Sequence, residues 1–279
     1  MAIKGIDISK HNGNIDFRKV KNGGIDFAMI RAGFGNSTVD TYFHQNIKGA
    51  KANGIKCGVY WFSYAYTPQM AKKEAQKCLD TIKGYDLVYP VAFDFEYASV
   101  NYAKDNGVKV TKALASQIAD VFLTTVKNAG YNVILYTNID YYNNYFNDTV
   151  KKKYDIWLAA YRESKPNFNQ KIWQYSEAGS VDGIKGRVDM NISYYQATKN
   201  NLSRGEKSVN ITLPLLKNGE RGNSVKAIQQ LLNARGFSCG AADGIFGEKT
   251  QIAVAQYQKS KKLTADGVVG ENTYNALLK

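Results

Sequence analysis

The chain of 279 residues contains few cysteines, prolines and histidines: three, four and two, respectively. Cys57, Cys78 and Cys239 are an odd number without CxxC spacing, so the sequence predicts buried reduced thiols rather than a disulfide framework or a thiolate zinc site. Four prolines exclude a long Pro-rich stalk. Two histidines, His11 and His44, nearly exclude a His-based catalytic zinc site. We therefore expect no metal and no other cofactor.

Long hydrophobic runs are also absent. No apolar stretch approaches the ~20 residues that a membrane-spanning helix needs, and residues 1–7 lack the apolar stretch of a secretory signal. The hydrophobic fraction of 44% and the charged fraction of 22% are ordinary for a globular protein. We therefore expect a protein that is synthesised in the cytoplasm without a signal peptide and is not inserted into a membrane.

Charge is unbalanced, with 37 Lys and Arg against 24 Asp and Glu and a net charge of +13. Most of the cations are lysines without dense clusters, which suits loose attraction to a polyanion better than bidentate recognition of bases. Nucleic acid, an anionic membrane surface or an anionic bacterial wall would each fit this charge, and so would an ordinary solvated surface. Charge alone does not choose among them.

Short β-branched or aromatic runs alternate with stretches of helical apolar spacing over the first 195 residues. Eight such runs predict strands: Ile3–Ile8, Phe27–Ala32, Lys56–Phe62, Tyr89–Phe95, Tyr131–Thr137, Asp155–Ala159, Lys171–Tyr175 and Arg187–Asn191. Eight strands interleaved with helices favour a β/α barrel over an open doubly wound sheet. Because the segments after Tyr136 are too short for regular helices, the predicted α/β barrel is irregular in its second half.

A polar linker, residues 196–208, precedes a tail that contains an internal repeat. Asp243–Thr250 and Asp266–Thr273 share the skeleton DGxxGExT. In each copy Asp-Gly is a turn signal, and we expect the second glycine to adopt a backbone conformation closed to other residues. A helical pattern follows each copy, so residues 209–279 are predicted to form a small all-α domain.

Acidic residues stand near the ends of several predicted strands. Asp94 and Glu96 lie on one face of a strand, with Cα atoms roughly 6.6 Å apart at a rise of ~3.3 Å per residue. Asp7 ends the first strand and Asp189 lies in the last, and in a closed barrel these two strands are neighbours. We therefore expect four carboxylates at the carboxyl-terminal mouth, where barrel enzymes carry their active sites.

Such a cluster raises the pKa of at least one carboxyl, because like charges in a partly desolvated pocket disfavour joint ionisation. A protonated carboxyl beside ionised ones suits cleavage of a glycosidic bond, although the spacing does not separate retaining from inverting geometry. The alternatives are a structurally hydrogen-bonded pair of acids or a magnesium or calcium site. The sequence contains no GxSxG, P-loop or GxGxxG motif, which disfavours serine hydrolases and nucleotide enzymes.

Aromatic residues are abundant, with 20 Tyr, 12 Phe and 3 Trp. Those at strand positions could line a groove on which pyranose rings stack, although alternation along a strand assigns half or more of them to the core. Trp61 and Trp173 fit core or groove equally well. The predicted substrate-binding residues are Tyr60, Phe62, Tyr64, Tyr136, Trp173 and Tyr175.

Four separated motifs, in this order, resemble the family 25 glycoside hydrolases, which are lysozymes acting as N-acetylmuramidases on bacterial peptidoglycan. They are Gly5–Ser9 with His11–Gly13 and Ile15–Phe17, then Ala92–Glu96, Trp173–Tyr175 and Val188–Asn191. The resemblance covers residues 1–195, and the tail, residues 209–279, resembles the type 1 peptidoglycan-binding domain. Both imply the same polymer, and the first implies a flattened, incomplete β/α barrel.

The resemblance also implies roles for the four acids. Glu96 would be the general acid/base that protonates the β-1,4 bond between N-acetylmuramic acid and N-acetylglucosamine. Asp94 would be either a nucleophile or the group that orients an attacking substrate acetamido group. Asp7 and Asp189 would hold the other two acids. Tyr60, Phe62, Tyr64 and Tyr136 would contact sugars.

The implied partner is peptidoglycan, with added attraction to anionic wall polymers and no role for nucleic acid. An endolysin-like protein of this kind would reach the wall after a separate, holin-type membrane lesion. Two other functions stay open: a wall-binding protein whose barrel has lost turnover, and a chitinase-like glycosidase. The longer chitinase signature DxxDxDxE is absent, because Ala92 stands two residues before Asp94.

Overall fold

The computed structural model describes residues 2–162, 164–195 and 214–277. They form two compact units that separate near position 205, each with an apolar core of its own. The predicted linker, residues 196–208, lies outside the described residues. The exact domain boundaries therefore stay predictions.

The first unit is a closed barrel of eight strands. Its strands are β1 (Ile3–Ile8), β2 (Phe27–Phe34), β4 (Lys56–Phe62), β5 (Val91–Asp94), β6 (Val133–Asn138), β7 (Asp155–Ala159), β8 (Ile172–Gly179) and β9 (Val188–Ser193), with a short β3 (Thr38–Val39) added beside β2. Neighbours pair in parallel from β1 through β2 and β4 to β8, whereas β9 runs antiparallel to both β8 and β1. The pairing of β1 with β2 and β9 closes the circle.

Helices cover only part of the barrel. They are α1 (Phe17–Asn22), α2 (Phe43–Ala52), α3 (Pro68–Ile82), α4 (Tyr97–Asp105), α5 (Lys112–Asn128), α6 (Ile139–Asn144) and α7 (Asp148–Lys153). The long helices α3 and α5 begin after Thr67 and Thr111, whose hydroxyls accept backbone N–H groups of the first turn. Between β7 and β9 the described residues form no helix. The α/β barrel is confirmed, and it is incomplete in its helical layer rather than in its strands.

Alternation along the strands divides the barrel residues between two apolar layers. The outer layer, between sheet and helices, includes Trp61 and Phe93, whereas the inner layer includes Phe27 and Trp157. Gly5 is needed in β1 because a Cβ there would lie 2.2 Å from Cε1 of Phe27. The inner layer fills the barrel below its carboxyl-terminal mouth and leaves the mouth to polar side chains.

Within residues 214–277, the second unit contains three helices, α8 (Asn223–Ala234), α9 (Glu248–Ser260) and α10 (Glu271–Leu277). Apolar residues from all three form its core, among them Val225, Leu232, Val254, Tyr257 and Leu277. Two isolated antiparallel β-bridges pair residues of the segments outside these helices: Leu216 with Val269 and Arg221 with Ile245. The predicted helical tail is confirmed.

Each DGxxGExT turn is held by one buried glutamine from the preceding helix. The amide nitrogen of Gln229 donates to Oδ1 of Asp243, the carbonyl of Ile245 and Oγ1 of Thr250, and its oxygen accepts the Gly244 N–H. Gln258 makes the same four bonds to the second turn, with Asp266, Val268, Thr273 and Gly267. The repeat is therefore built around a glutamine that lies outside it.

The first glycine of each turn, not the second, adopts the left-handed backbone conformation. Gly244 and Gly267 have φ of +79° and +69°, whereas Gly247 has φ of −97°. The expectation for the second glycine was wrong, because that residue lies in extended backbone just before a helix. The first glycine must turn sharply so that its N–H reaches the glutamine oxygen.

The three cysteines are buried free thiols. Among the helices in the described part of the chain, none combines the length and the apolar character needed to cross a bilayer.

Replacing Gln258 by leucine should destabilise the second unit by about 2–3 kcal/mol, because the buried Gly267 N–H loses its acceptor. Calorimetry of the full chain, with Trp fluorescence reporting on the barrel alone, measures the effect. Gln251→Leu, on the same helix but half-exposed, is the control and should change much less. Equal losses in both variants would contradict the role of Gln258.

Candidate functional site

The four predicted acids line one open cavity of about 410 Å³ at the carboxyl-terminal mouth of the barrel. Asp7 of β1 and Asp189 of β9 are direct partners in the strand register. Asp94 ends β5, and Glu96 is the residue immediately before α4. A larger cavity of about 690 Å³, at the amino-terminal ends of β6 and β7, contains none of these four carboxyls.

Asp7 lies at the centre of a buried network of amides. Its Oδ2 accepts N–H groups from Gln174, at 2.8 Å, and from Asn191, at 2.7 Å. The Gln174 oxygen in turn accepts the hydroxyls of Tyr136 and Tyr161, and the Asn191 oxygen accepts the Trp157 indole N–H. These outer bonds fix both amides with their N–H groups toward Asp7.

Asp7 and Asp189 share a hydrogen bond, and their environments differ. Burial, followed by the charge of Asp189, raises the pKa of Asp7 well above its ordinary value despite the two amide bonds. Burial also raises the pKa of Asp189, but the hydrogen bond from Asp7 opposes that rise. Asp7 is therefore the proton donor of the pair, with Asp189 as the acceptor.

Asp94 and Glu96 form the second pair of carboxyls. Burial, then the charge of Glu96, raises the pKa of Asp94 well above its ordinary value. Burial also raises the pKa of Glu96, whereas the hydrogen bond from Asp94 and the nearby Tyr136 hydroxyl lower it. Glu96 is the more exposed of the two, and Asp94 Oδ1 is buried without a hydrogen-bond partner among the described residues. The two carboxyls thus share protons, and the hydrogen bond between them favours the proton on Asp94 while burial raises the pKa of both.

Arg31 is a cation at the edge of this acidic cavity. It lies in β2, and its Nε donates to Oδ2 of Asp40 at 2.8 Å. Asp40 is buried and also accepts the backbone N–H groups of Lys10 and Tyr42. The Arg31 charge lowers the pKa of Asp94 and so opposes the effect of burial.

The predicted aromatic contacts divide according to strand face. Tyr60, Phe62 and Tyr136 line the cavity, and the Tyr64 ring lies next to Phe62, with ring centroids 5.2 Å apart. Trp173 and Tyr175 do not reach it: Trp173 donates its indole N–H to Ala160 and packs with Tyr175 in the outer layer. Because Gln174 points inward, its two neighbours in β8 point outward.

Gln174, Asn191, Trp157 and Tyr161 also surround the acids in the structure. Trp157 and Tyr161 are among the aromatic residues that the sequence offers as possible groove residues, whereas it predicts no role in the acidic network for the two amides. Gln174 and Asn191 belong to motifs already noted, and alternation from Asp189 places Asn191 on its face of β9. Within the described ranges, no three His, Cys, Asp or Glu side chains are arranged to hold a metal ion.

Comparisons with known proteins agree with this geometry. The model of the glycosyl hydrolases family 25 matches residues 6–184, and that of a peptidoglycan binding domain matches residues 221–277. An autolytic lysozyme of Clostridium acetobutylicum is 32% identical over 98% of this chain and 78% of its own length. Lysozyme M1 of Streptomyces globisporus is 27% identical over 68% of this chain and 67% of its own.

Solved structures show the same barrel. The modular autolysin LytC of Streptococcus pneumoniae, in complex with a synthetic peptidoglycan ligand, has a TM-score of 0.60 and 31% identity, covering 69% of this chain and 47% of that one. A family 25 glycosyl hydrolase of Bacillus anthracis has a TM-score of 0.59 and 26% identity, and the match covers 69% of this chain and 89% of that one. With these matches, the chain belongs to glycosyl hydrolase family 25, the lysozyme family, and carries a C-terminal peptidoglycan-binding domain.

Proposed function

We propose that this protein hydrolyses the β-1,4 bond between N-acetylmuramic acid and N-acetylglucosamine in peptidoglycan, with the second unit holding it on the wall. One observation carries the proposal: two hydrogen-bonded pairs of carboxyls share a single open cavity of a family 25 barrel. Such paired acids supply the proton and the negative charge that glycosidic cleavage needs.

Glu96 is the proposed general acid. It is the most accessible member of its pair, and burial keeps its pKa above the ordinary value, so that it holds a proton closer to neutral pH. The leaving sugar oxygen takes this proton, and the resulting carboxylate then activates water. Tyr136 lines the same cavity and lowers the pKa of Glu96, so it favours the ionised form that follows proton transfer.

Asp94 is proposed to act at the sugar carbon, by one of two routes. As a carboxylate it attacks or stabilises the developing oxocarbenium ion, or it orients a substrate acetamido group that attacks within the sugar. Its unpartnered Oδ1 supports both, since a buried acceptor without a donor favours a ligand group that supplies one. Asp7 is fixed by Gln174 and Asn191 and is hydrogen-bonded to Asp189. These two acids are proposed to hold the other two through their charge and hydrogen bonds.

Glu96→Gln should lower the rate of wall hydrolysis by about two orders of magnitude or more, because general acid–base catalysis contributes ~10²–10⁴-fold. The measurement is the release of new reducing ends from purified bacterial walls, with the terminal sugar identified. Reducing ends that terminate in muramic acid are expected from the native protein.

The same digest separates the alternatives. New free amino groups in place of reducing ends would mean amide cleavage and would defeat the proposal. Walls that bind the native protein but yield neither product would indicate a barrel that has lost turnover. Cleavage of chitin at a rate equal to that of peptidoglycan would favour the chitinase-like alternative.

Asp7→Asn should stabilise the barrel at neutral pH while lowering activity. An asparagine can accept the same two amide bonds and donate to Asp189, as protonated Asp7 does. The pKa of Asp7 is higher in the folded chain than in the unfolded chain. The folded state therefore binds this proton more tightly, and the native protein loses that stabilisation as pH rises from the unfolded pKa toward the folded one.

Thermal melts of both proteins from pH 4 to pH 8 test this expectation. The Tm of Asp7→Asn should exceed that of the native protein by an amount that grows with pH and vanishes near pH 4 or below. Asp105→Asn, at the exposed end of α4, removes the same charge and should show no such trend. A difference that shrinks as pH rises would contradict the raised pKa.

The second unit is proposed to bind the wall, and its match to a peptidoglycan-binding domain supports this. The positive charge of the chain, +13, is proposed to add attraction to anionic wall polymers. For localisation we propose action on the wall after release through a separate membrane lesion. Assays on intact cells, with and without permeabilisation of the membrane, test that release.

Residues 209–279 alone should pellet with purified walls. Because exposed charges attract over a range that salt shortens, the part of the binding due to charge should fall as NaCl rises, whereas recognition of peptidoglycan should persist. The Gln258→Leu form of the same piece is the control. Failure of the folded piece to pellet at any salt concentration would remove its targeting role.

A further inference from the structure

A cavity of about 690 Å³ lies at the amino-terminal ends of β6 and β7, apart from the catalytic mouth. The ends of α5 and α7 and the segment after β7 form its walls. We call it the lysine cavity, because its lining includes Lys127, Lys151, Lys152 and Lys153. Among the described residues, none lines both this cavity and the one that contains the four acids. A ligand bound here would therefore leave the mouth free for the glycan.

Cations outnumber carboxylates around the lysine cavity. Asp155 is the one acidic residue in its lining, within the part of the chain that the structure describes. Lys151 and Lys153 are paired with Asp148 and Asp120, at 2.9 and 2.6 Å, but neither of these two acids lines the cavity. The lining therefore presents a surplus of positive charge to a ligand.

Two of the four lysines have no acidic partner. Lys127, in the last turn of α5, and Lys152, in α7, are both exposed. Neither is ion-paired with a carboxylate of the described residues. Because no neighbouring charge neutralises them, these two ammonium groups are the main contacts that the cavity offers to an anion.

The other two lysines are held in place by their neighbours. Lys151 Nζ lies 4.6 Å from the centroid of the Tyr142 ring. Lys153 Nζ lies 5.3 Å from the centroid of the Tyr154 ring and donates to Oγ1 of Thr124 at 3.2 Å. An ammonium group has three donors, so an ion pair with one carboxylate leaves Lys151 able to donate to a ligand. Since these cations are already ordered, binding costs less conformational entropy.

The type of cation indicates the type of anion. No arginine belongs to the described lining of the cavity. Arginine binds carboxylates through a planar fork of N–H groups, whereas lysine acts as a point charge with rotatable donors. Phosphate oxygens accept hydrogen bonds from several directions, so separate ammonium groups can contact one phosphate. The lysine cavity therefore fits a phosphate group better than the carboxylate of a peptide.

The tyrosines of the cavity disfavour nucleic acid as the ligand. Tyr131 and Tyr154 are buried, Lys151 lies over the Tyr142 ring, and Tyr195 packs against another tyrosine. Proteins that bind single-stranded nucleic acid present open aromatic faces on which bases stack. The tyrosines here support the lysines instead. A phosphodiester polymer without bases fits this lining better.

We propose that the lysine cavity binds phosphodiester groups of an anionic wall polymer. This inference rests on the proposed function, which brings the protein to the bacterial wall, and extends it by an attachment site on the catalytic barrel itself. The polymer holds the barrel on the wall while the mouth stays open to the glycan. At this cavity the general attraction due to the net charge of +13 becomes a localised contact.

Titration calorimetry of the full-length protein with soluble poly(glycerol phosphate) tests the proposal. The cavity variant carries Lys127→Gln and Lys152→Gln. The control carries Lys48→Gln and Lys72→Gln, at exposed positions of α2 and α3 outside the cavity, and loses the same charge. The Kd should rise about five- to tenfold in the cavity variant and less than about twofold in the control, because only the former loses direct contacts.

Purified walls provide a second measurement. Walls that retain their phosphodiester polymers should bind the native protein more tightly than walls stripped of them with hydrofluoric acid. Only the unstripped walls should distinguish the cavity variant from the control. The cavity variant should hydrolyse stripped walls at the native rate, because Lys127 and Lys152 do not line the catalytic cavity.

Three results would overturn the proposal. The first is a cavity variant that binds poly(glycerol phosphate) no more weakly than the control, with both shown to be folded by their Tm. The second is a loss that persists on stripped walls, which would place peptide carboxylates in the cavity. The third is tighter, cavity-dependent binding of single-stranded DNA.

Failure of the proposed function gives a different result. In that case the native protein releases no reducing ends from either kind of wall. The calorimetric comparison of the cavity variant with the control needs no hydrolysis, so it still decides whether the lysine cavity binds phosphodiesters.

Discussion

Burial of several like charges in one small space is the constraint on which the barrel mouth depends. Four carboxyls facing one cavity cannot all ionise without a large cost, so protons are shared within two hydrogen-bonded pairs. Two amide N–H groups bind Asp7, and the charge of Arg31 lowers the pKa of Asp94. Chemically similar carboxyls therefore have different environments. The same repulsion that weakens the fold creates a carboxyl able to deliver a proton.

Buried primary amides organise both units, although their folds are unrelated. In the barrel, Gln174 and Asn191 direct their N–H groups to Asp7 because tyrosine and tryptophan donors occupy their oxygens. In the tail, Gln229 and Gln258 each join a turn aspartate, a glycine N–H and a threonine. An amide offers donor and acceptor on one rigid group, so one side chain can satisfy several buried backbone and side-chain groups at once.

Position around the barrel, rather than position along the chain, determines what the mouth contains. Closure places Asp7 opposite Asp189, and the start of α4 immediately after Glu96 ties the helix to the site. The loop after β4 is anchored from two sides, by the Asp94 carbonyl and by Glu74, so the aromatic rings near the cavity have fixed places. The four acids and the aromatic rings beside the cavity are therefore held by the same strands and helices.

The sequence alone determined the strands, the acidic quartet and the helical tail, because strand alternation, the βα order and the DGxxGExT repeat are local patterns that survive folding unchanged. The sequence did not determine which face of β8 turns inward. Trp173 and Tyr175 lie outside because Gln174 faces Asp7, and this orientation depends on the residues that the neighbouring strands place in the barrel. Nor did the sequence predict that Gln258 is hydrogen-bonded to the second turn or that the Tyr102 ring packs against Tyr64, since those contacts join separate elements. Only tertiary packing decides such pairs, because the energy of a contact depends on what another part of the chain places beside it.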